Sequence, residues 1–235
     1  MIYFLFLIGP LLFGGDLFFE ANRAYEKGDF EKARQFYEEL IASSTADASL
    51  YFNTGNASWR LGRIGWARYY WEKAERLAPG EEDIVYNLNL VRNFLKEEDP
   101  ETFSDILLAR IRTLISFNGL MLHTLFWTWL FLFCGLFYYL GKGEKFLWLG
   151  LGALFLSLSL AGLLFLRWGR EVKIKEGVLI EKSEIYNAPG ALSSQGVIAE
   201  GRKVEILEEA GSWTLIGIRD KNLKVWVRNS SLRTI

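Results

Sequence analysis

Two uncharged apolar runs lie almost back to back in this chain, and they limit what the rest of it can build. Phe117 to Leu140 contains no Asp, Glu, Lys or Arg, and neither does Phe146 to Leu166. Only Gly141–Lys145 (Gly-Lys-Gly-Glu-Lys) separates them. A helix rises about 1.5 Å per residue, so roughly 20 residues cross the ~30 Å hydrocarbon layer of a bilayer. Both runs reach that length. The expected arrangement is a lipid-embedded hairpin, with spans at 117–140 and 146–168 and a tight loop at 141–145. Two crossings return the chain to the side it left, so both flanks share a compartment.

The spans carry little chemistry. His123 is the only histidine, and with no acidic residue in either span it is expected at headgroup depth rather than in a proton relay. Cys134, the sole cysteine, excludes an intrachain disulfide and reads as a small packing residue. Trp127, Trp129, Tyr138, Tyr139, Trp148 and Trp168 suit interfacial belts. Gly150, Gly152 and Ala153 would let the two helices approach. Function is therefore sought in the flanks.

The net charge of −1 hides an asymmetry. Residues 16–103 hold 17 acidic and 11 basic side chains, whereas residues 172–235 hold 8 and 10. Neither flank has the single-sign field of a nucleic-acid binder. The N-terminus, Met1 to Gly15, has an apolar stretch of ~12 residues that ends in small residues before Asp16. It has the form of a signal-peptide h-region, although the usual basic start is missing; an apolar segment packed on the next helix is the other reading.

Residues 16–99 read as helix throughout. Helices are expected at Phe18–Lys27, Phe30–Ala42, Leu50–Leu61, Ile64–Leu77 and Glu82–Leu95, with breaks at Gly28-Asp29, Gly62 and Ala78-Pro79-Gly80 and N-cap candidates at Ser43 to Asp47. The spacing repeats. Gly28 and Gly62, Asn22 and Asn56, Phe30 and Ile64, Ala33 and Ala67, and Tyr37 and Trp71 are all separated by the same interval. That interval is the 34-residue helix-turn-helix period of tetratricopeptide repeats, and it implies about two units plus a capping helix at Asp83 to Leu88. Stacked units present the first helix of each pair on a concave side. Asn22, Glu26, Phe52, Asn56 and Arg60 fall there. Asn suits an extended peptide backbone and Arg60 a carboxylate; the alternative is a solvated face without a ligand.

Pro100 ends this domain. Phe103, Ile106, Leu107, Ile111, Leu114 and Ile115 then recur at helical spacing, so 100–116 reads as an amphipathic juxtamembrane helix. Basic residues flanking the spans favour cytoplasmic flanks, whereas the signal-like start favours the outer side; the second reading is preferred, since so short a loop has little room for charge.

From Val172 the apolar period changes to two. Short strands are expected at Val178–Ile180, Glu184–Tyr186, Lys203–Leu207, Trp213–Ile218 and Lys224–Val227, with turns at Ala188–Gly190, Ala210–Ser212 and Asp220–Asn222. Five strands in about sixty residues make a small all-β barrel, and the order matches a bacterial SH3-like domain, with Val225 where many such domains have Gly. Tyr186, Trp213 and Trp226 would line a peptide or wall-polymer groove, unless the tryptophans are simply core.

The fold class is thus a multidomain membrane protein: a helical tetratricopeptide solenoid, a two-helix transmembrane hairpin and an SH3-like barrel. This order resembles the E-type (BatE-like) members of the Bat (aerotolerance operon) family. The specific part is Tyr51-Phe52-Asn53-Thr54-Gly55-Asn56-Ala57 through Leu77-Ala78-Pro79-Gly80-Glu81-Glu82-Asp83-Ile84, with Asn87-Leu88 after it. The resemblance implies a scaffold in the bacterial cytoplasmic membrane with periplasmic soluble parts. Its implied partners are Bat proteins with von Willebrand factor A domains and, through them, a MoxR-type ATPase, in stress tolerance. The residues themselves suggest an adaptor without catalytic residues, cofactor or metal. Zinc amidases need clustered histidines, and a Cys-His peptidase would need Cys134 and His123, which both lie in the bilayer. The other reading is a wall-binding or wall-remodelling accessory protein that meets peptidoglycan through the barrel.

Overall fold

The computed structural model describes residues 17–43, 47–97, 116–171, 175–218 and 223–235. The signal-like segment 1–15, nearly all of the juxtamembrane segment 100–116 and the turn at 220–222 lie outside them. The chain forms two compact units: Met1–Pro100 with Lys175–Ile235, and Glu101–Ile174.

The helical half of the first unit contains α1 (17–26), α2 (Phe30–Ser43), α3 (Ala48–Arg60), α4 (Ile64–Leu77) and α5 (Glu82–Phe94). Asp47 caps α3, its Oδ1 accepting from the Leu50 N–H at 2.8 Å. The turns repeat in atomic detail. At the first, the Gly28 N–H donates to the Tyr25 carbonyl and the Asp29 N–H to the Ala24 carbonyl. At the second, Gly62 and Arg63 donate to Trp59 and Ser58 in the same pattern. Both glycines adopt left-handed φ, 81° and 74°, the conformation this helix ending requires.

A third turn of the same kind follows α5. Lys96 donates to Asn93 and Glu97 to Arg92, and Lys96 takes φ 50°. Lys96 follows Gly62 by the same interval that separates Gly62 from Gly28. Leu50, Thr54 and Ala57 of α3 are likewise matched, one period on, by the buried Ile84, Leu88 and Val91 of α5. α5 is thus followed by a turn like those after α1 and α3, and its buried positions match those of α3. The sequence obscures this because a lysine replaces the turn glycine.

The sheet half contains β1 (Lys175–Leu179), β2 (Ser183–Ile185), β3 (Gly196–Ile198), β4 (Lys203–Ala210), β5 (Trp213–Ile218), β6 (Leu223–Arg228) and β7 (Leu232–Thr234). Five strands form an antiparallel sheet in the order β6-β5-β4-β1-β7, and β2 pairs with β3. A Tyr186–Trp226 bridge joins the end of β2 to β6. Ile216, Ile218, Val225 and Val227 point inward with Leu179, Val204 and Leu232 to make the core. The two strands the sequence reading lacks, β3 and β7, are only three residues long, too short to show a period of two.

Although the sequence separates them, the two halves pack directly through α4. A Cβ on Gly65 would lie 2.6 Å from both Ile180 Cα and the Leu179 carbonyl oxygen. The Gly65 N–H donates to Glu200 Oε2 at 3.1 Å. Arg68, 1% exposed, sits at the centre of the junction. Its Nη1 donates to both Glu97 oxygens at 2.7 Å and to the Gly201 carbonyl of the sheet half at 2.9 Å. Its Nε reaches Glu72 at a longer 3.5 Å. Glu72 accepts a shorter bond, through Oε2, from Lys203 Nζ of β4 at 2.9 Å, and Lys203 also reaches Glu176 of β1 at 3.0 Å. Arg76 completes the row, donating to the Ile235 carbonyl at 2.7 Å.

Burial alone would raise the Glu72 carboxyl, but Lys203 and Arg68, helped by Arg92, outweigh it and hold the group at about 2, below its ordinary 4.5. A depressed carboxylate stabilises the fold fully above its unfolded value and loses that contribution as pH falls toward the folded one. The contribution here is at most about 3 kcal/mol. Acidifying the solubilised protein from about pH 5 to about pH 3 should therefore lower its denaturant midpoint progressively, and Glu72→Gln should flatten that slope. An equal slope in the variant would refute the assignment.

The second unit contains α6 (Phe117–Tyr139) and α7 (Lys145–Glu171). These are two helices long and apolar enough to cross a membrane. Ser116 caps α6 through the Gly119 N–H at 3.0 Å. The helices approach closely where a Cβ on Gly150 would lie 3.3 Å from Cys134 Cβ, and Ala153 is buried nearby. Gly152 meets nothing within 4 Å, so it has no part in the close approach the sequence suggested. Thr128 and Ser157 share a hydrogen bond of 2.7 Å between the helices. The His123 ring is exposed, its Nδ1 lying 2.8 Å from the Gly119 carbonyl oxygen of its own helix.

Candidate functional site

The helical half carries a groove of about 440 Å3. α3 supplies Phe52, Asn56 and Arg60, which are three of the five residues the sequence placed on a concave face. Asn22 and Glu26 do not line it; α1 contributes Tyr25 instead. α5 lines it beside α3 with Asp83, Tyr86, Asn87 and Leu90, and Trp71 of α4 lies at the floor, 1% exposed. The sequence reading misses the α5 residues because it makes that helix a cap. The step of one repeat period from Gly62 to Lys96 is the signal that could have found them.

The repeated asparagines work first within the fold. Tyr37 donates its hydroxyl to Asn22 Oδ1 at 2.6 Å, and burial pushes that phenol up to about 12. One repeat later the Trp71 indole donates to Asn56 Oδ1 at 3.0 Å. An indole N–H can only donate, so it determines which end of the Asn56 amide faces it. Asn87 Nδ2 donates to the same oxygen at 2.9 Å. Both lone pairs of Asn56 Oδ1 are thereby used. Asn56 Nδ2 and Asn87 Oδ1 carry no partner among the described residues. The groove thus holds one oriented amide donor and one oriented amide acceptor on adjacent walls.

Arg60 lies beside this pair, its guanidinium carbon 4.2 Å from the centroid of the Phe30 ring. Stacking over an aromatic face leaves the edges of the fork available to an acceptor. Tyr86, 69% exposed, stands at the mouth and offers a large apolar surface with a polar tip.

The aromatic residues proposed for the sheet are also brought together. Tyr186 is buried and meets Trp213 edge to face, with ring centroids 4.9 Å apart. The Tyr186 hydroxyl donates to Glu184. Arg228 lies 5.5 Å from the Trp213 ring. Trp213 and Trp226 are half-buried and face away from the core that Ile216, Val225 and Val227 build, so neither tryptophan belongs to it. Among the described residues, no cluster of three or more His, Cys, Asp or Glu is placed to hold a metal ion.

A scan against protein-family models finds no match for this chain, and a search of curated proteins finds none either.

Proposed function

We propose that this chain is a membrane-anchored, non-catalytic adaptor whose helical groove holds an extended peptide segment of another membrane protein. The observation that carries the reading is the oriented pair, Asn56 Nδ2 and Asn87 Oδ1, between aromatic walls. An extended backbone presents a carbonyl and an N–H at each residue, and the pair complements them without reference to side chains. Arg60 adds a point for a carboxylate.

The helices are read as tetratricopeptide units, supported by turn bonds and asparagine–aromatic bonds that recur at the period of the sequence repeat. The sheet is read as an SH3-like barrel, supported by β1 lying between β4 and β7 and by the small β2–β3 sheet bridged to β6. The apolar helices are read as a hairpin in a bacterial cytoplasmic membrane. The packing of residues 17–97 on 175–235 supports an even number of crossings, because the halves must share a compartment to meet. The compartment is the periplasmic side on the signal-like start. With the Bat-like motif order, this makes von Willebrand factor A-domain membrane proteins the partners. A second reading, attachment to peptidoglycan, draws on Tyr186, Trp213 and Trp226 lying outside the core. Retention of the full chain on purified wall would favour it.

The test is photocrosslinking in native membranes with a reactive residue at Arg60 or Tyr86. The expected product is a discrete adduct with an extramembrane stretch of a second membrane protein. Asn87→Leu should reduce it about tenfold, since it removes the acceptor of the pair. Adducts to lipid alone, or a yield indifferent to Asn87, would overturn the proposal.

A further inference from the structure

The junction and the groove share a helix. Trp71 of α4 forms the groove floor, while Arg68 and Glu72 of the same helix face the sheet. Arg68 also reaches Glu97, in the turn that ends α5, and α5 is a wall of the groove. That turn is held in an unfavourable state. Lys96 is the only described non-glycine residue with positive φ, a conformation that crowds the Cβ against the following carbonyl oxygen. Leu95, just before it, is close enough to the sheet half that a Cβ on Gly201 would lie 3.2 Å from its Cδ1.

Two buried carboxylates share Arg68, Glu97 at Nη1 and Glu72 at Nε. It grips Glu97 with two short bonds and Glu72 with one long one. Glu72 is also held by Lys203 from β4, which reaches Oε2 at 2.9 Å while Arg68 reaches Oε1 at 3.5 Å. We propose that Lys203 of the sheet decides how tightly Arg68 is drawn to each of the two carboxylates, and so sets the position of α5 and the width of the groove. With Lys203 engaged, Arg68 is drawn to Glu97 and the left-handed turn at Lys96 is clamped. Without it, Glu72 draws Arg68 more tightly and the clamp on α5 is loosened. The sheet is then a control on the docking surface. By linkage, a peptide that shifts α5 alters sheet docking by the same free energy. This last consequence rests on the groove being a docking site; the control of α5 does not.

Hydrogen exchange on the full chain, without ligand, tests it. Lys203→Met should speed exchange across residues 82–97 by about tenfold or more, the loss expected when a charged hydrogen bond goes. The double variant Lys203→Met with Glu72→Gln should restore protection, because a neutral amide does not draw Arg68 away from Glu97. Lys203→Arg should also preserve it. Unchanged exchange in α5 would overturn the proposal. So would loss that Glu72→Gln fails to reverse, including general unfolding of both variants, since plain destabilisation has no reason to be cured by removing a carboxylate. The failure of photocrosslinking would instead count against the groove as a docking site.

Discussion

Replacing Arg68 with methionine should destabilise the compact unit of helices and sheet by about 3–5 kcal/mol, the cost of leaving one partner of a buried ion pair uncompensated. The size follows from what is abandoned. Glu97 has 8% of its side chain exposed and has Arg68 as its partner. The Gly201 carbonyl loses its donor in the same step. Glu72 suffers less because Lys203 stays with it. Against a total stability of about 5–15 kcal/mol for a domain, the loss is large. Lysine is not a substitute here, since one ammonium cannot span Glu97, Gly201 and Glu72 with the fork of a guanidinium. Adding Glu97→Gln to Arg68→Met should return part of the loss, because it removes the orphaned charge while leaving a neutral amide to be satisfied. Denaturant midpoints of the detergent-solubilised chain measure all three. A midpoint for Arg68→Met equal to that of the parent would show that the junction is not held by these charges.

Much of this architecture is written in local pattern. The two apolar helices follow from length and the absence of charge, and the helices of the N-terminal half from glycine punctuation and a regular helix-turn-helix period. β5 is read to the residue, because Trp213–Ile218 alternates cleanly between core and outer face. What escapes is what depends on distant contact. β3 and β7 are strands only by virtue of their partners. Arg68 and Glu72 look like an ordinary i, i+4 surface pair, and nothing in their neighbourhood says that Gly201 and Lys203, far along the chain, will cover them. The groove is half legible. Phe52, Asn56 and Arg60 follow from the repeat, whereas the α5 wall does not, because Lys96 hides the third turn. The sequence makes the repeated asparagines look like free ligands, yet each first accepts from an aromatic of its own repeat. For Asn56 that bond also decides which amide atom is left for a partner.

Gly65 offers a test in which two local rules give opposite signs. It lies in the first turn of α4, where helix propensity alone says that alanine should help by up to about 1 kcal/mol. The packing says the reverse. The new Cβ would stand 2.6 Å from Ile180 Cα, 2.6 Å from the Leu179 carbonyl oxygen and 2.7 Å from the Ile180 carbonyl oxygen. These are backbone atoms of a strand end pinned on both sides: Leu179 donates to Arg202, and Ile180 to Ser231. A side-chain tip could swing aside, but this backbone can yield only by moving the sheet off the helix. Such a movement stretches the Gly65–Glu200 and Arg68–Gly201 bonds together. Gly65→Ala should therefore destabilise by about 1–3 kcal/mol, the usual range for overpacking, and Gly65→Leu by more. Gly152→Ala is the control. That glycine is also helical, but nothing lies within 4 Å of its would-be Cβ, so propensity acts alone and the change should be neutral or favourable. The denaturant midpoint reads both. If Gly65→Ala proves as harmless as Gly152→Ala, the sheet does not rest on α4 at this point, and the control of the groove by Lys203 loses its mechanical footing with it.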